Sequence, residues 1–302
     1  GFNSSQQLVV YEKVSGSTSQ LFTSNRLFRD RNAWYNIVVS CDRTLSTAGD
    51  RTKIYINGVQ ETSWASQTNP AQNTTGIINT AVNTLIGKYS QNTYYFNGCL
   101  SHVHFVDGTA YPASTFGSTD ATTGEWTINT SPTITMGNNG FTILKDGNTI
   151  TDQSSNSNNF TLGGGTLTNT EDCPDNVFCT MNPLDNYYTV NTFSNGNTTV
   201  TTPSVGYSGA IGSMGASSGK YYFEFKPISK TGDADEYVVG ISAQSVHSVN
   251  QPHYKMSLGY MYTGVNGNKI NNDSSSSYGN TFTAGDIIGV AMDLQTFAKF
   301  HF

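Results

Sequence analysis

Residues 34–60 read WYNIVVSCDRTLSTAGDRTKIYINGVQ, and this stretch decides the fold of the chain. It holds two runs in which successive side chains alternate between two faces. One face of the first run carries Tyr35, Ile37, Val39 and Cys41. In the second run Ile54 and Ile56 share a face, and a period of two is typical of a half-buried antiparallel strand. Asn57 and Gly58 then supply the positive φ angles that a tight hairpin turn requires.

The composition extends this pattern to the rest of the chain. Of the 302 residues only 12% are charged, 12% are aromatic and 36% are hydrophobic, and Asn, Thr, Ser and Gly dominate the remainder. No long window has apolar residues at helical spacing, while Thr, Tyr, Phe, Val and Ile favour strands. The sequence therefore predicts an all-β protein, with two antiparallel β-sandwich (jelly-roll-like) domains in tandem joined by a turn-rich connector.

Charge and hydropathy exclude two classes of partner. The net charge is −6 and the isoelectric point is near 5.2, and no stretch of clustered basic residues is present that could bind the phosphates of a nucleic acid. No apolar run approaches the roughly 20 residues that a membrane-spanning helix needs. We therefore expect no nucleic-acid partner and no membrane insertion.

The first predicted domain covers residues 1–117. Strands are predicted at LVVYEKV and QLFTS, at 83–90 and at 94–112, and YPASTFG predicts one helical turn. In the strand at 94–112 the expected core residues are Leu100, Val103 and Phe105.

These motifs together resemble a known module. The order WYNIVV, a loop with Asp and Arg, TKIYINGV, LIG, YYFNGCLSHVHFVDG and P-x-x-x-F-G resembles the laminin-G-like, concanavalin A-like sandwiches of large virion proteins from marine and other environmental bacteriophages. The similarity implies that the N-terminal strands of the module are missing, so we expect the chain to be a fragment of a longer polypeptide.

The connector, residues 118–184, carries two further motifs that are similar to strings in the same phage proteins. They are D-x-S-x-N-x-N-x-F at 152–160 and D-x-P-x-N-x-F-x-T-x-N-P-L at 172–184. Short Asp, Ser and Asn side chains at alternating positions indicate Asx turns around a few buried aromatic residues.

The second predicted domain covers residues 185–302. SGKYYFE, VGI and Y-G-x-x-F-x-x-G-D-x-I-G-V-x-x-D-L resemble a SPRY-type β-sandwich that is incomplete at its C-terminal end. In the strand KYYFEFK the alternation predicts that Tyr221, Phe223 and Phe225 point inward. The same alternation predicts that the outward residues are Tyr222, Glu224 and Lys226.

No motif for catalysis is present, so we expect no enzyme activity. A glycosidase needs two carboxylates about 5–10 Å apart, and the Glu-x-Asp-x-Glu triplet of glucanases with this fold is absent. The acidic residues at 233–236 (Asp233, Asp235 and Glu236) fall in a loop, which favours a solvated surface.

No cofactor is expected either. His102 and His104 share a strand face but lack a third metal ligand nearby in the sequence. The resemblance to laminin-G sandwiches leaves Ca²⁺ as an alternative. The acidic residues available for it are Asp42, Asp50 and Asp107. The four cysteines fit no zinc or disulfide framework, which favours free thiols over a loop closed by Cys173 and Cys179.

Sugar binding needs aromatic platforms and polar side chains on loops. Residues 247–262, HSVNQPHYKMSLGYMY, are the densest stretch of this kind. A contact surface is predicted for His253, Tyr254, Tyr260 and Tyr262. The competing interpretation makes the tyrosines strand residues that pack on the outside of the sandwich.

The resemblance implies a virion surface component, in a tail fibre or similar appendage, that contributes to host attachment. Its expected partners are other virion proteins, further copies of itself and a host surface glycan. The alternatives are a head-decoration or lectin-like structural module and, less favoured, a polysaccharide-degrading glycosidase.

Overall fold

The structure is a computed structural model. It describes residues 1–30, 33–78, 80–89, 94–121, 124–187, 191–203, 208–229, 237–243, 255–294 and 299–301. The chain divides into two compact units, Gly1–Val177 and Phe178–Phe302. The break at Val177 falls within the predicted connector, and the three predicted domain ranges stay predictions. The all-β class is confirmed.

The first unit is built from short antiparallel strands. They are β1 (Gln7–Val14), β2 (Ser17–Leu27), β3 (Ile37–Cys41), β4 (Thr52–Ile56), β5 (Val59–Gln60), β6 (Trp64–Thr68), β7 (Val103–Phe105), β8 (Gly117–Thr119), β9 (Trp126–Ile128) and β10 (Phe141–Ile143). The sheets are β1-β2-β6, β3-β4-β5, β7-β10 and β8-β9. Single 3₁₀ turns lie at Ala48–Asp50 and Ala113–Thr115, and the second is the predicted helical turn.

Strands β3 and β4 form the antiparallel pair predicted from the 34–60 stretch. Ile54 and Ile56 are almost completely buried, so the face predicted from the alternation is the core face. Asn57 and Gly58 have φ angles of 49° and 77° and connect β4 to β5. Both angles are positive, as the primed turns of two-residue hairpins require.

Trp126 of β9 covers this turn. A Cβ atom built on Gly58 or on Gly117 would overlap the Trp126 ring, so the indole packs directly on the backbone at both glycines. The contact attaches the 34–60 hairpin to a residue that the sequence assigned to the connector.

The core of the first unit lies between the sheets β1-β2-β6 and β3-β4-β5. Its buried members are Leu8, Phe22, Phe28, Ile54 and Ile56. Trp64 meets Phe22 edge to face, with ring centroids 5.1 Å apart. Because residues of both sheets contribute to this one core, the sheets pack face to face as in a sandwich.

Two arginines organise the loop between β3 and β4. The Arg43 guanidinium donates to the buried carboxylate of Glu12, which also accepts the Ile77 amide at 2.7 Å. Burial raises the pKa of Glu12, but hydrogen bonds from Arg43, Ile77 and Ser19 outweigh it, so the pKa lies below its ordinary value. Arg51 donates to three backbone carbonyls at 2.8–2.9 Å, which fixes the path of the loop.

Residues 83–112 differ from the sequence prediction. Instead of strands at 83–90 and 94–112, the described residues there form an isolated bridge between Lys88 and Tyr95 and the short strand β7. Leu100, predicted as core, is 42% exposed. An apolar alternation marks residues suited to burial, but burial also needs an opposing surface, and no described element supplies one here.

The D-x-S-x-N-x-N motif forms a hydrogen-bonded loop beside β10. The Asp152 carboxylate accepts the amides of Thr142, Ser154 and Asn158 and the Ser154 hydroxyl, all at 2.8–2.9 Å. Burial raises the pKa of Asp152, but these hydrogen bonds lower it overall. Asn156 and Asn158 donate their side-chain amides to carbonyls of the preceding loop, so the predicted Asx-type turn chemistry is confirmed.

Aromatic contacts hold this loop against β10. The Phe141 ring lies 5.7 Å from that of Phe105 and 4.7 Å from that of Phe160. Phe141 and Ile143 are both buried, as their shared face predicts.

The second unit is also antiparallel. Its strands are β11 (Met181–Tyr187), β12 (Thr192–Ser194), β13 (Thr199–Thr201), β14 (Gly209–Gly212), β15 (Lys220–Phe225), β16 (Val238–Ser242), β17 (Gly259–Thr263), β18 (Asn268–Asn271), β19 (Ser274–Ser277), β20 (Ile288–Asp293) and β21 (Lys299–His301). The sheets are β11-β14, β12-β13, β15-β20-β21 and β16-β17-β18-β19.

The core of the second unit joins its two larger sheets. Its buried members are Val239, Tyr262, Phe282 and Val290. Phe223 and Phe225 pack against them, as predicted for the inward face of β15. Tyr221, also predicted to point inward, is 47% exposed and is not among the residues that pack on this core, so the prediction is wrong for this end of the strand.

Candidate functional site

A cluster of exposed aromatic side chains lies in the first unit, at residues 87–89 and 94–96. We call these residues the aromatic segment. The Phe96 amide donates to the Gly87 carbonyl at 2.8 Å, and the Tyr89 amide donates to the Tyr94 carbonyl at 3.1 Å. These bonds hold the two short stretches antiparallel, so their side chains are presented from a paired backbone. Its aromatic members are Tyr89, Tyr94, Tyr95 and Phe96.

The tyrosines of the aromatic segment are unusually open to solvent. Tyr94 is 70% exposed and Tyr95 is 67% exposed. A tyrosine ring has a large apolar face and a polar hydroxyl, and this combination is enriched where proteins contact ligands or other proteins. Each exposed tyrosine ring therefore offers a face for stacking beside a hydroxyl that can form hydrogen bonds.

Lys88 adds a positive charge to this surface. Its Nζ atom lies 5.4 Å from the centroid of the Tyr95 ring. A cation over an aromatic face attracts the ring quadrupole and limits the freedom of both side chains. The contact orients Tyr95 without covering it.

Apolar side chains on both sides of the aromatic segment in the sequence are also exposed. Those with more than a third of their surface open are Ile77, Ile78, Val82, Leu85, Ile86 and Leu100. Exposed apolar surface of this kind, where it forms a patch, marks binding grooves and protein–protein interfaces. This stretch of the first unit is therefore a candidate recognition surface.

The structure separates the four residues of the predicted contact surface at 247–262. His253 and Tyr254 lie outside the described residues. Tyr260 is exposed on β17, opposite Ile241 of β16. It stays a predicted ligand-binding residue, as do His253 and Tyr254.

Tyr262 belongs to the core instead. It is 6% exposed, its ring meets Tyr278 and Phe282 at 5.5 and 5.1 Å, and its hydroxyl donates to the Asn280 carbonyl. Burial raises the pKa of its hydroxyl. Tyr260 and Tyr262 share a strand face, but only Tyr262 is covered by the segment between β19 and β20, so its ring is not available to a ligand.

His102 and His104 lie near each other, with ring centroids 6.4 Å apart. His104 Nδ1 is hydrogen-bonded to the Thr142 hydroxyl at 2.9 Å, and His102 Nδ1 to the Ser101 hydroxyl at 2.7 Å. Burial, together with smaller effects of the neighbouring His102 and Lys145, lowers the pKa of His104 to about 4. The imidazole of His104 is therefore neutral near pH 7.

The three aspartates considered for Ca²⁺ have separate local partners. Asp42 accepts from the Thr44 amide, Asp50 pairs with Lys53 at 3.3 Å, and Asp107 accepts from the Asn139 amide. Across the described part of the chain, no three His, Cys, Asp or Glu side chains gather as a metal site would require. Ca²⁺ binding stays a prediction from the resemblance alone.

Two further groups singled out from the sequence have different outcomes. The acidic residues at 233–236 lie outside the described residues. All four cysteines are free thiols, as expected. Three of them, Cys41, Cys99 and Cys179, are exposed rather than buried.

Comparisons with known proteins match the two parts of the chain separately. A laminin-G family of the concanavalin A-like lectin/glucanase superfamily matches residues 1–114, and the SPRY domain matches residues 220–297. No curated protein matches the chain. The protein thus has concanavalin A-like and SPRY β-sandwich architecture, which indicates a carbohydrate- or protein-binding module. Among the residues described, no helix is long and apolar enough to cross a membrane.

Sequence reasoning did not select the aromatic segment. The sequence predicts a strand for Tyr94, Tyr95 and Phe96 because aromatic residues favour pleated, half-buried surfaces. The available signal was that three consecutive aromatic residues cannot all face the same side of a strand. At least one of them had to be exposed in any half-buried strand.

Proposed function

We propose that this protein is a non-enzymatic component of a virion surface, in a tail fibre or similar appendage. It contributes to host attachment by binding a glycan through the aromatic segment. The observation that supports this function is the exposure of the Tyr94 and Tyr95 rings, one on each side of the paired backbone, in the unit that matches the concanavalin A-like family model. The β-sandwich is the scaffold that positions the aromatic segment, and the side chains of the segment contact the sugar.

The chemistry of a sugar matches this surface. A pyranose ring has C–H faces that stack on aromatic rings and hydroxyls that pair with polar side chains. Tyr94 and Tyr95 supply the ring faces and phenolic hydroxyls that can both donate and accept. Lys88 adds a cation beside Tyr95, which favours a glycan that carries carboxylate or phosphate groups.

The proposed function includes no catalysis, because the sequence lacks the carboxylates that glycoside hydrolysis needs. Glycoside hydrolysis requires two carboxylates at a fixed separation, and the triplet that supplies them in glucanases is absent. Incubation with host polysaccharide should release no reducing ends. Release above the level of a boiled sample would reverse this part of the proposal and favour the glycosidase.

The virion setting rests on the motif order at 34–117 and 152–184, which resembles that of phage virion proteins. In that setting the partners are other virion proteins and further copies of the chain. Labelling intact particles with an antibody to the protein tests the setting by electron microscopy. Label on tail appendages supports the proposal, label on the head favours the decoration protein, and no label on particles contradicts both.

Glycan binding is tested on an array of bacterial surface polysaccharides. The double substitution Tyr94→Ala and Tyr95→Ala should weaken binding about tenfold or more, since each aromatic contact contributes about 0.5–1.5 kcal/mol. Tyr11→Ala is the control, because Tyr11 is an exposed tyrosine on β1 of the same unit. Equal binding by the double variant and the wild type would show that the segment is not the glycan site.

Self-association is a second function that a specific observation favours. Ile78, Val82 and Leu85 are exposed and lie close together in the sequence. A homo-oligomer would bury such apolar surface. Sedimentation of the wild type and of a Val82→Asp, Leu85→Asp variant tests this, and an unchanged oligomeric state would remove these residues from the interface.

A further inference from the structure

Asparagine followed by glycine occurs five times in the chain, and the structure describes all five pairs. In such a pair the glycine nitrogen can attack the carbonyl carbon of the asparagine side chain, because glycine has no Cβ to hinder the approach. The surroundings of each carboxamide decide how easily it reaches that geometry. The asparagines of the five pairs are Asn57, Asn97, Asn139, Asn195 and Asn266.

Two of these asparagines are held through the side-chain oxygen. The Asn57 oxygen accepts the Asn36 amide at 2.8 Å. The Asn266 oxygen accepts the Asn268 amide at 3.0 Å. A carboxamide held in this way must break a hydrogen bond before it can turn its carbon toward the next nitrogen of the chain.

Two more are held through the side-chain nitrogen. Asn139 Nδ2 donates to Asp107 Oδ2 at 3.2 Å. Asn195 Nδ2 donates to the Thr199 hydroxyl at 3.1 Å. This nitrogen is the atom that leaves when the side chain is attacked, so its hydrogen bond also has to break during the reaction.

Asn97 is the exception among the five. Its side chain forms no hydrogen bond with the part of the chain that the structure describes, and neither does the Gly98 amide. Asn97 and Gly98 are both exposed to solvent. The carboxamide is therefore free to rotate toward the Gly98 nitrogen, and water can reach the pair.

We infer that Asn97 is the residue at which this chain deamidates first. Hydroxide removes the proton of the Gly98 amide, and the nitrogen forms a bond to Cγ of Asn97. The side-chain nitrogen takes a proton from water and leaves as ammonia, which regenerates hydroxide and leaves a cyclic imide. Water then opens the imide at either carbonyl, and the product is aspartate or a β-linked aspartate.

The reaction changes the edge of the aromatic segment, because Asn97 directly follows Phe96. The new carboxylate adds a negative charge there. The tip of the Phe96 ring lies on Gly98, where an added Cβ would come within 2.9 Å of the ring Cζ atom. A β-linked aspartate lengthens the backbone between Phe96 and Gly98 by one carbon, so this contact is lost in that product.

The effect on binding rests on the proposed glycan function, whereas the chemical step does not. Two residues span at most about 7 Å, so Asn97 and Tyr95 lie within the Debye length of about 8 Å at physiological salt. Asn97→Asp should therefore weaken an anionic glycan about twofold, and the uncharged control Asn97→Gln should bind like the wild type. If the wild type binds no glycan while Asn97 is converted first, the proposed function fails and this inference stands.

The test is a peptide map of the full chain after incubation in mildly alkaline buffer at physiological temperature. Mass spectrometry measures the conversion of each Asn-Gly pair. Asn97 should be converted about fivefold faster than Asn195, which is also exposed, because one hydrogen bond changes a rate by about this factor. A rate at Asn97 that is no higher than the rate at the other four asparagines overturns the inference.

Thr199→Val is the matched variant, since it removes the hydroxyl that Asn195 donates to and keeps the shape of the side chain. Asn195 should then be converted about fivefold faster than in the wild type. The rate at Asn97 in the same molecules is the internal reference and should not change. An unchanged rate at Asn195 would show that the hydrogen bond does not protect the carboxamide, which overturns the argument.

Discussion

His104 is a buried imidazole that the fold keeps neutral. Its pKa of about 4 lies below the 6.5 of an unfolded chain because burial disfavours the charged ring. Between these values the unfolded state binds the proton more strongly than the folded state. Stability is therefore fully present above pH 6.5 and is lost as the pH falls toward 4.

This shift predicts a pH-dependent loss of stability in the first unit. One pKa unit corresponds to about 1.4 kcal/mol. Allowing for partial solvent exposure of the ring, we expect a loss of about 2 kcal/mol from His104 between pH 6.5 and pH 4. Urea unfolding of the wild type and of His104→Gln across this range measures it. If the two curves run parallel, the ring does not titrate as described.

Glu12 and Arg43 form an ion pair whose carboxylate side chain is 1% exposed. Glu12→Ala leaves the guanidinium without its acidic partner and the Ile77 amide without its acceptor. We expect the free energy of unfolding to fall by about 3–5 kcal/mol, as for other buried pairs that lose one member. Denaturant titration measures the change.

The double variant Glu12→Ala, Arg43→Met is the control for this prediction. It removes both charges, so it should be less destabilised than Glu12→Ala alone. Equal or greater destabilisation would show that the pair contributes through packing rather than through its charges.

At the scale of elements, the loop at 152–160 depends on one carboxylate. Asp152→Ala would leave three backbone amides without their acceptor, including the buried Thr142 amide of β10. We expect a loss of about 2–4 kcal/mol, since each unsatisfied buried group costs about 1–3 kcal/mol. Asp152→Asn keeps one acceptor oxygen and should lose less. Thermal unfolding of both variants measures the ranking, and a reversed order would contradict it.

The elements that were predictable from the sequence are those whose signals are local. The pair β3 and β4 alternates with period two and ends in Asn57-Gly58, and both signals act within a few residues. The segment 83–112 has a similar alternation, but Leu100 is exposed because its burial depends on a distant partner. Trp126 packs on Gly58 across a long stretch of sequence, and no local pattern indicates such a contact.

The candidate sites follow the same rule. Tyr260 and Tyr262 lie two residues apart on one strand face, yet the segment between β19 and β20 covers only Tyr262. The Tyr237 hydroxyl is shielded from solvent and has no hydrogen-bond partner among the described residues. A missing hydrogen bond can be recognised only once the fold is known.

At the scale of the whole molecule, the two compact units predict two unfolding transitions. Glu12→Ala should lower only the melting temperature of the first unit. Val290→Ala removes fully buried atoms from the second core and should lower only the other, by an amount equivalent to about 2 kcal/mol. Differential scanning calorimetry separates the transitions. A single transition that shifts with either variant would show that the units unfold together.

The turn at Asn57-Gly58 also affects the lifetime of the molecule. An asparagine followed by glycine is open to deamidation, because the unhindered glycine nitrogen attacks the side-chain carbonyl and forms a succinimide. Here the Asn57 side-chain oxygen accepts the Asn36 amide at 2.8 Å, which holds the carboxamide in place. Opening of the succinimide to isoaspartate would insert an extra carbon into a two-residue turn covered by Trp126. The folded hairpin therefore protects the protein from chemical ageing at the dipeptide that shapes it.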